Sequence, residues 1–205
     1  MNIKTACFTG HRHMMHEKLP TISLLIDQAI AEAYENGYRQ FMCGGALGFD
    51  TLAANRTIEF RLEHPDIKLT LVIPCENQSS RWSKEDQMAY RYIRNKADEV
   101  IVLSPVYYQG CMQTRNRYMV DHSSLCICYL YSLRGGTAYT VRYSVYRNIH
   151  INNLAMSRSK TDMLLRENQC NSMFIFHSVG KSADTVHLFL SPDRNLKQKN
   201  ISRSC

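Results

Sequence analysis

Apolar, β-branched runs alternate with stretches of helical periodicity through the first three quarters of the chain. Lys4–Thr9, Gln40–Cys43, Lys68–Pro74, Glu99–Leu103 and Leu125–Tyr131 are short runs dominated by apolar, β-branched and aromatic residues, which predicts strands. Between the first two, Leu19, Ile22, Leu25, Ile26, Ala29, Ile30, Ala33 and Tyr34 recur at helical spacing, with Pro20 suited to a first turn and Gly37 to a C-terminal cap. Further helices are predicted over 50–63, 84–96, 112–121 and 138–147, and Ile149–Leu154 supplies a last short strand. This alternation implies parallel strands joined by right-handed crossovers, hence an α/β, three-layer Rossmann-like fold with a mainly parallel sheet. The pattern weakens after Ser157. Residues 1–154 are expected to form the domain, and 155–205 a short C-terminal extension, an accessory or partly disordered tail in which 173–177 and 186–190 are candidates for a small hairpin.

Three of the predicted strands end in turns with chemistry. Thr9-Gly10-His11-Arg12 supplies a hydroxyl, a flexible backbone and a guanidinium, the side chain best shaped to grip phosphate at two points. In Cys43-Gly44-Gly45-Ala46-Leu47-Gly48-Phe49-Asp50, Gly44 and Gly45 allow a tight turn and a close ligand, Gly48 allows an unusual dihedral, and the next helix offers unpaired N–H groups to an anion. Gly135-Gly136-Thr137 repeats the theme before another helix. Neither GxGxxG nor a Walker loop is present. Loops at the carboxyl edge of a parallel sheet face a common crevice, so the turns together predict a phosphate-bearing ligand.

Several of these residues have two readings. Asp50 serves either as the N-cap of its helix or as an acceptor for a ribose hydroxyl or base, and Thr137 either as an anion contact or as a cap. Arg12 is a phosphate ligand or a solvated surface side chain. Arg117 and Asp121 lie four apart, the spacing of a local ion pair, which leaves Arg115 and Asn116 as the ligand candidates of their helix. Gln78 and Trp82, with Pro74 and Glu76, follow the third strand and form a candidate wall for a base or sugar; Trp82 is otherwise a core or lid aromatic. The expected division is phosphate binding by Gly44, Gly45, Gly135 and Gly136 with Thr9, Arg12 and Thr137, and sugar or base contacts from Asp50, Gln78, Trp82, Arg115 and Asn116.

Composition narrows the setting. The chain has 205 residues, enough for one ordinary domain, and its 44% hydrophobic and 21% charged content is that of a soluble globular protein. No apolar run reaches the roughly 20 residues that span a bilayer, and the start leads straight into a strand, so a cytoplasmic address and no membrane partner are expected. Of the net charge of +7, residues 155–205 carry +4, from eight Lys or Arg against four Asp or Glu. That tail suggests nucleic acid as a second partner class. The eight cysteines form no CxxC pair and read as reduced thiols; Cys7, Cys43, Cys126 and Cys128 fall in strands as small core side chains. His11, His13 and His16 share a turn without fixed metal geometry, so neither metal nor cofactor is expected.

The set of motifs resembles the YpsA-like branch of the SLOG superfamily: TGHR at 9–12, GGALGFD at 44–50, the spacing of Pro74, Gln78 and Trp82, RNRYMVDHS at 115–123 and GGTAYTVRY at 135–143. The resemblance covers about residues 1–154. It implies a Rossmannoid domain that senses or processes nucleotide-derived ligands, and a homo-oligomer is compatible with it. Two related groups frame the alternatives. The LOG-type phosphoribohydrolases cleave an N-glycosidic bond and carry a glutamate in a PGGxGTxxE loop; Thr140 stands at that place here, and a hydroxyl does not replace a carboxylate in such chemistry. Asp50, Glu76 and Asp121 are then the substitute carboxylates. The DprA proteins bind DNA and have a glycine loop loosely like Gly48–Ala54, which would make single-stranded nucleic acid the partner. The expected function is ligand binding as a sensor or regulator, ahead of hydrolysis and of nucleic-acid binding.

Overall fold

The computed structural model describes residues 3–156 and 159–161. Six strands alternate with five helices: β1 (Lys4–Gly10), α1 (Leu19–Glu35), β2 (Tyr38–Cys43), α2 (Phe49–Phe60), β3 (Lys68–Ile73), α3 (Lys84–Lys96), β4 (Glu99–Val102), α4 (Cys111–Asp121), β5 (Leu125–Tyr129), α5 (Gly135–Tyr146) and β6 (His150–Asn153). A single 3₁₀ turn, His16–Lys18, leads into α1. Every strand pairing is parallel, and the order is β4-β3-β2-β1-β5-β6. The chain therefore winds outward from β1 to β4, then returns to the other side of β1 for β5. This reversal opens a crevice above the carboxyl end of β1.

Alternation along the strands divides the core into two halves. Ala6, Phe8, Phe41, Leu69, Leu71, Ile73 and Ile127 face α1, α2 and α3, whose Ile22, Ile26, Ile30, Ala53 and Ile93 fill that side. Cys7, Met42, Val72, Cys126 and Cys128 face the opposite way, onto Met119, Val120, Ala138 and Val141 of α4 and α5. Strands buried on both faces read as continuous apolar runs, which is the pattern seen in the sequence. The cysteines of β1, β2 and β5 are fully buried free thiols within this packing.

Local signals set most boundaries. Pro20 sits in the first turn of α1, and the Ser83 side chain accepts from the Asp86 N–H to start α3. The helix expected from Ala138 starts instead at Gly135, because the two glycines are its first turn rather than a loop before it. Arg117 does not pair with Asp121. The carboxylate of Asp121 lies 3.1 Å from Arg147 and accepts from the Tyr143 hydroxyl at 3.0 Å, while Arg117 donates to Thr114. Tertiary packing of α5 on α4 brings those better partners to Asp121. The tail beyond Thr161 and the hairpin expected at 173–177 and 186–190 lie outside the described residues. Among the described residues no helix is long and apolar enough to cross a membrane.

Candidate functional site

A cleft of about 380 Å³ opens above the carboxyl ends of β1, β2, β3 and β5, within the roughly 300–1,000 Å³ common for small-molecule sites. From the turn after β1 it takes Thr9, Gly10, His11, Arg12 and His13; from the turn after β2, Ala46, Leu47 and Asp50. Gln78 and Trp82 close one side, Tyr131 another, and α4 and α5 supply Arg115, Asn116, Gly136 and Thr137. Gly44, Gly45, Gly48 and Gly135 do not line the cleft. They shape the turns beneath those that do.

Gly48 is the clearest case. It caps α2 at φ 82° and ψ −122°, a conformation that side chains resist, and a Cβ there would sit 2.1 Å from the Arg12 carbonyl oxygen. The same approach lets the Phe49 N–H donate to the His11 carbonyl at 3.2 Å. The first and second turns are thus interlocked through backbone, and Arg12 is held over the start of α2.

With Gly48 as the cap, Asp50 is not the N-cap that one reading of the sequence made it. It occupies the second helical position, 5% exposed, and accepts a long bond of 3.4 Å from the Ala46 N–H. Opposite it, across Gly44, stands Arg115, also nearly buried, with Nη1 3.5 Å from the Asp50 carboxylate. Gly44 makes room for this guanidinium: a Cβ there would fall 1.2 Å from Arg115 Nη1. Yet Arg115 Nε and Nη1 have no hydrogen-bond partner. Buried guanidinium donors are rarely left so, because desolvation is not repaid. His11 Nε2 is a second buried, unpartnered polar atom, on a ring packed 4.1 Å from Tyr131. Burial lowers the pKa of that imidazole, which favours its neutral form.

Burial also raises the Asp50 carboxyl to about 6, against the opposing pull of Arg115, of the Ala46 and Gly44 N–H groups and of Arg12. Its effect on stability has a definite sign. Below the ordinary value of 3.8 the group is protonated whether the chain is folded or not. Between 3.8 and about 6 the folded chain holds a proton that the unfolded chain releases, so stability is lost as pH rises, and above about 6 the loss is complete. Asp50→Asn is therefore expected to leave stability unchanged near pH 4 and to raise it by up to about 3 kcal/mol at pH 7.5. Urea unfolding of both proteins across that range measures this; an equal effect at both ends would mean that Asp50 carries no such penalty.

The other walls are firmer. Gln78 Nε2 donates to the Gly45 carbonyl at 3.1 Å, pinning the β2 turn to the β3 turn. Trp82 stands edge-on to Tyr90 at 5.5 Å, so it is both a core contact and a wall of the cleft. Thr137 is in the first turn of α5 rather than its cap, which is Arg134. It is nearly buried, and the N-terminal end of α5 points its free N–H groups and dipole toward the cleft lining at Gly136 and Thr137.

Of the substitute carboxylates only Asp50 reaches the cleft. Glu76 pairs with Arg94 at 2.8 Å and Asp121 lies at the far end of α4. Thr140, at the place of the hydrolase glutamate, is fully buried and donates within its helix to the Gly136 carbonyl. Sequence reasoning missed Tyr131, Met112, Met119 and, as cleft residues, His13, Ala46 and Leu47. The two methionines were within reach: positions 112, 115, 116 and 119 form one helical stripe, so naming Arg115 and Asn116 implied their neighbours.

The family model described as the YspA SLOG family matches residues 7–157. Among curated proteins, the uncharacterized SPbeta prophage-derived protein YoqJ of Bacillus subtilis (strain 168) is 31% identical over 144 residues, covering 62% of this chain and 84% of that protein. A UPF0398 protein of Staphylococcus haemolyticus (strain JCSC1435) is 26% identical over 134 residues, covering 61% and 72%. Among solved structures, DNA processing protein A from Streptococcus pneumoniae superposes with a TM-score of 0.53 at 19% identity, over 73% of this chain and 49% of that one. DNA processing protein A from Helicobacter pylori, described by its single-stranded DNA binding mode, gives 0.53 at 17% identity, over 85% and 81%. At such identities the two structures share the fold with this chain.

Proposed function

The chain belongs to the YspA SLOG family, and on that premise we propose that its cleft binds a nucleotide or nucleotide-derived ligand, as a sensor or regulator. One observation carries the reading: the Arg115 guanidinium is nearly buried at the cleft, with Nε and Nη1 lacking any hydrogen bond and only the Asp50 carboxylate, 3.5 Å from Nη1, nearby. A phosphate oxygen is the natural acceptor for those donors, in the two-point geometry that guanidinium favours. The start of α5, with Gly136 and Thr137, supports the same anion, and Arg12 adds charge at the rim. Trp82 and Tyr131 supply aromatic surface for a base, and the Met112 and Met119 side chains an apolar floor.

Binding is favoured over hydrolysis because, among the described residues, the cleft holds one carboxylate, Asp50, where acid–base cleavage of a glycosidic bond ordinarily uses two carboxyl groups. Calorimetry with nucleoside monophosphates, ADP-ribose and cyclic dinucleotides tests the reading, with the matching nucleosides as controls. At least one phosphorylated ligand should bind while its nucleoside does not, and Thr137→Val should weaken it about tenfold, the worth of one hydrogen bond to a charged group. Silence across the panel, or equal binding of nucleotide and nucleoside, would remove the proposal. Salt-sensitive binding of single-stranded DNA without any mononucleotide binding would favour the nucleic-acid alternative instead.

A further inference from the structure

We infer that Asp50 acts on the ligand as a neutral acid: when an oxyanion enters beside Arg115, the Asp50 carboxyl takes up a proton and donates a hydrogen bond to that oxyanion. The inference rests on the phosphate-binding reading above and gives Asp50 a role opposite to that of an acceptor for ribose or base.

The argument is one of charge and room. Arg115 Nη1 and Asp50 Oδ2 are 3.5 Å apart on either side of Gly44, too far for a good bond, and no other partner holds either Nη1 or Nε. Both side chains are more than nine-tenths buried and both line the cleft. An anion that satisfies Arg115 therefore arrives within a few ångströms of the carboxylate. Two negative groups so close in a buried setting do not both stay ionised, and the weaker acid takes the proton. The groups around Asp50 point the same way. The Cys43 thiol donates to its main-chain carbonyl at 3.2 Å rather than to its carboxylate. Cys43 is fully buried, and its thiol pKa is pushed well up, so it stays neutral. Arg12, His11 and His13 come from the β1 turn; burial lowers the His11 pKa and favours its neutral form, while Arg12 and Arg115 bring positive charge close to the carboxylate. With the anion occupying Arg115, the largest attraction that holds Asp50 ionised is spent on the anion, and the Ala46 and Gly44 N–H groups and Arg12 are left against burial and the new negative charge. The free carboxyl already titrates at about 6, so the proton costs little near neutrality. A carboxylic acid kept neutral to donate a hydrogen bond is a known way for a buried site to hold developing or fixed negative charge.

Calorimetric titration of the full chain with adenosine 5′-monophosphate and with inorganic phosphate, at pH 7.5 in two buffers of different ionisation enthalpy, reads the proton directly. About one proton should be taken up per anion bound by the native protein and none by Asp50→Asn. Affinity of the native protein should fall about tenfold per pH unit between 6.5 and 8. In Asp50→Asn, whose amide donates permanently, it should be as tight or tighter at pH 7.5 and follow only the ionisation of the phosphate. Proton uptake that persists in Asp50→Asn would place the proton on the phosphate and overturn the inference. So would a tenfold or greater loss of affinity in Asp50→Asn, the behaviour of a carboxylate that accepts from the ligand. If neither probe binds and the wider nucleotide panel is also silent, the phosphate-binding reading itself fails. A ligand from that panel that binds without proton uptake overturns the role of Asp50 alone.

Discussion

Gly48→Ala is expected to lower stability by about 2–6 kcal/mol. Two costs combine there. The backbone is at φ 82° with ψ −122°, which for a residue with a Cβ costs on the order of 1–3 kcal/mol. The new methyl would lie 2.1 Å from the Arg12 carbonyl oxygen and 2.6 Å from its carbon. These are backbone atoms, so relief requires the whole β1 turn to shift, at a further cost of about 1–3 kcal/mol. Gly37→Ala separates the two costs: its φ is +86°, but nothing lies within 4 Å of the added Cβ, so only about 1–2 kcal/mol is expected. Urea unfolding of the two variants against the native protein makes the comparison. Equal losses would show that the close approach of the two turns does not matter to the fold.

Arg115→Met should move function and stability in opposite directions. Nucleotide binding is expected to fall about 100-fold or more, since an anion buried against a lost cation forfeits several kcal/mol. Stability should hold or rise, because a buried guanidinium with unpartnered donors is replaced by an apolar side chain of similar length. The Asp50 carboxyl would then lose the first of the attractions opposing its burial and remain protonated to higher pH, so it leaves no stranded charge near neutrality. Ordinary structural arginines behave differently; Arg56, held by both oxygens of Asp27 at 2.6 Å, should cost stability when removed. Binding that survives in Arg115→Met would sink the proposed site. Loss of binding with loss of fold would mark Arg115 as structural.

The fold was largely legible because its signals are local and repeated. Strands buried on both faces must be apolar runs, and helices lying on a sheet must repeat their apolar residues every three or four positions, so β1 through β5 and α1 through α5 could be placed from the pattern. Boundaries moved by a few residues, as where β2 starts at Tyr38 and α2 ends at Phe60, and one moved because glycine has two uses. Gly135 and Gly136 look like a loop and are the first turn of α5. The turn residues were legible as a set for a topological reason: in a parallel sheet every strand delivers its carboxyl end to the same edge, so motifs far apart in sequence were bound to meet there.

What each side chain does at that edge was not legible. Asp50 next to a helix start reads as a cap, and Arg117 four residues before Asp121 reads as its partner. Such rules compare near neighbours, whereas the actual partners come from other elements: Arg115 from α4 for Asp50, and Arg147 beyond α5 for Asp121. The sequence alone determined the order of the elements, the parallel sheet and the edge where the glycine turns gather, because those follow from periodicity and chain direction. Only the tertiary structure decided that Gly44 leaves room for a guanidinium, that its Nε and Nη1 are left without a hydrogen bond, and that one buried carboxyl faces it at 3.5 Å. Those facts depend on distances of a few ångströms between segments some 70 residues apart, and no local pattern encodes them.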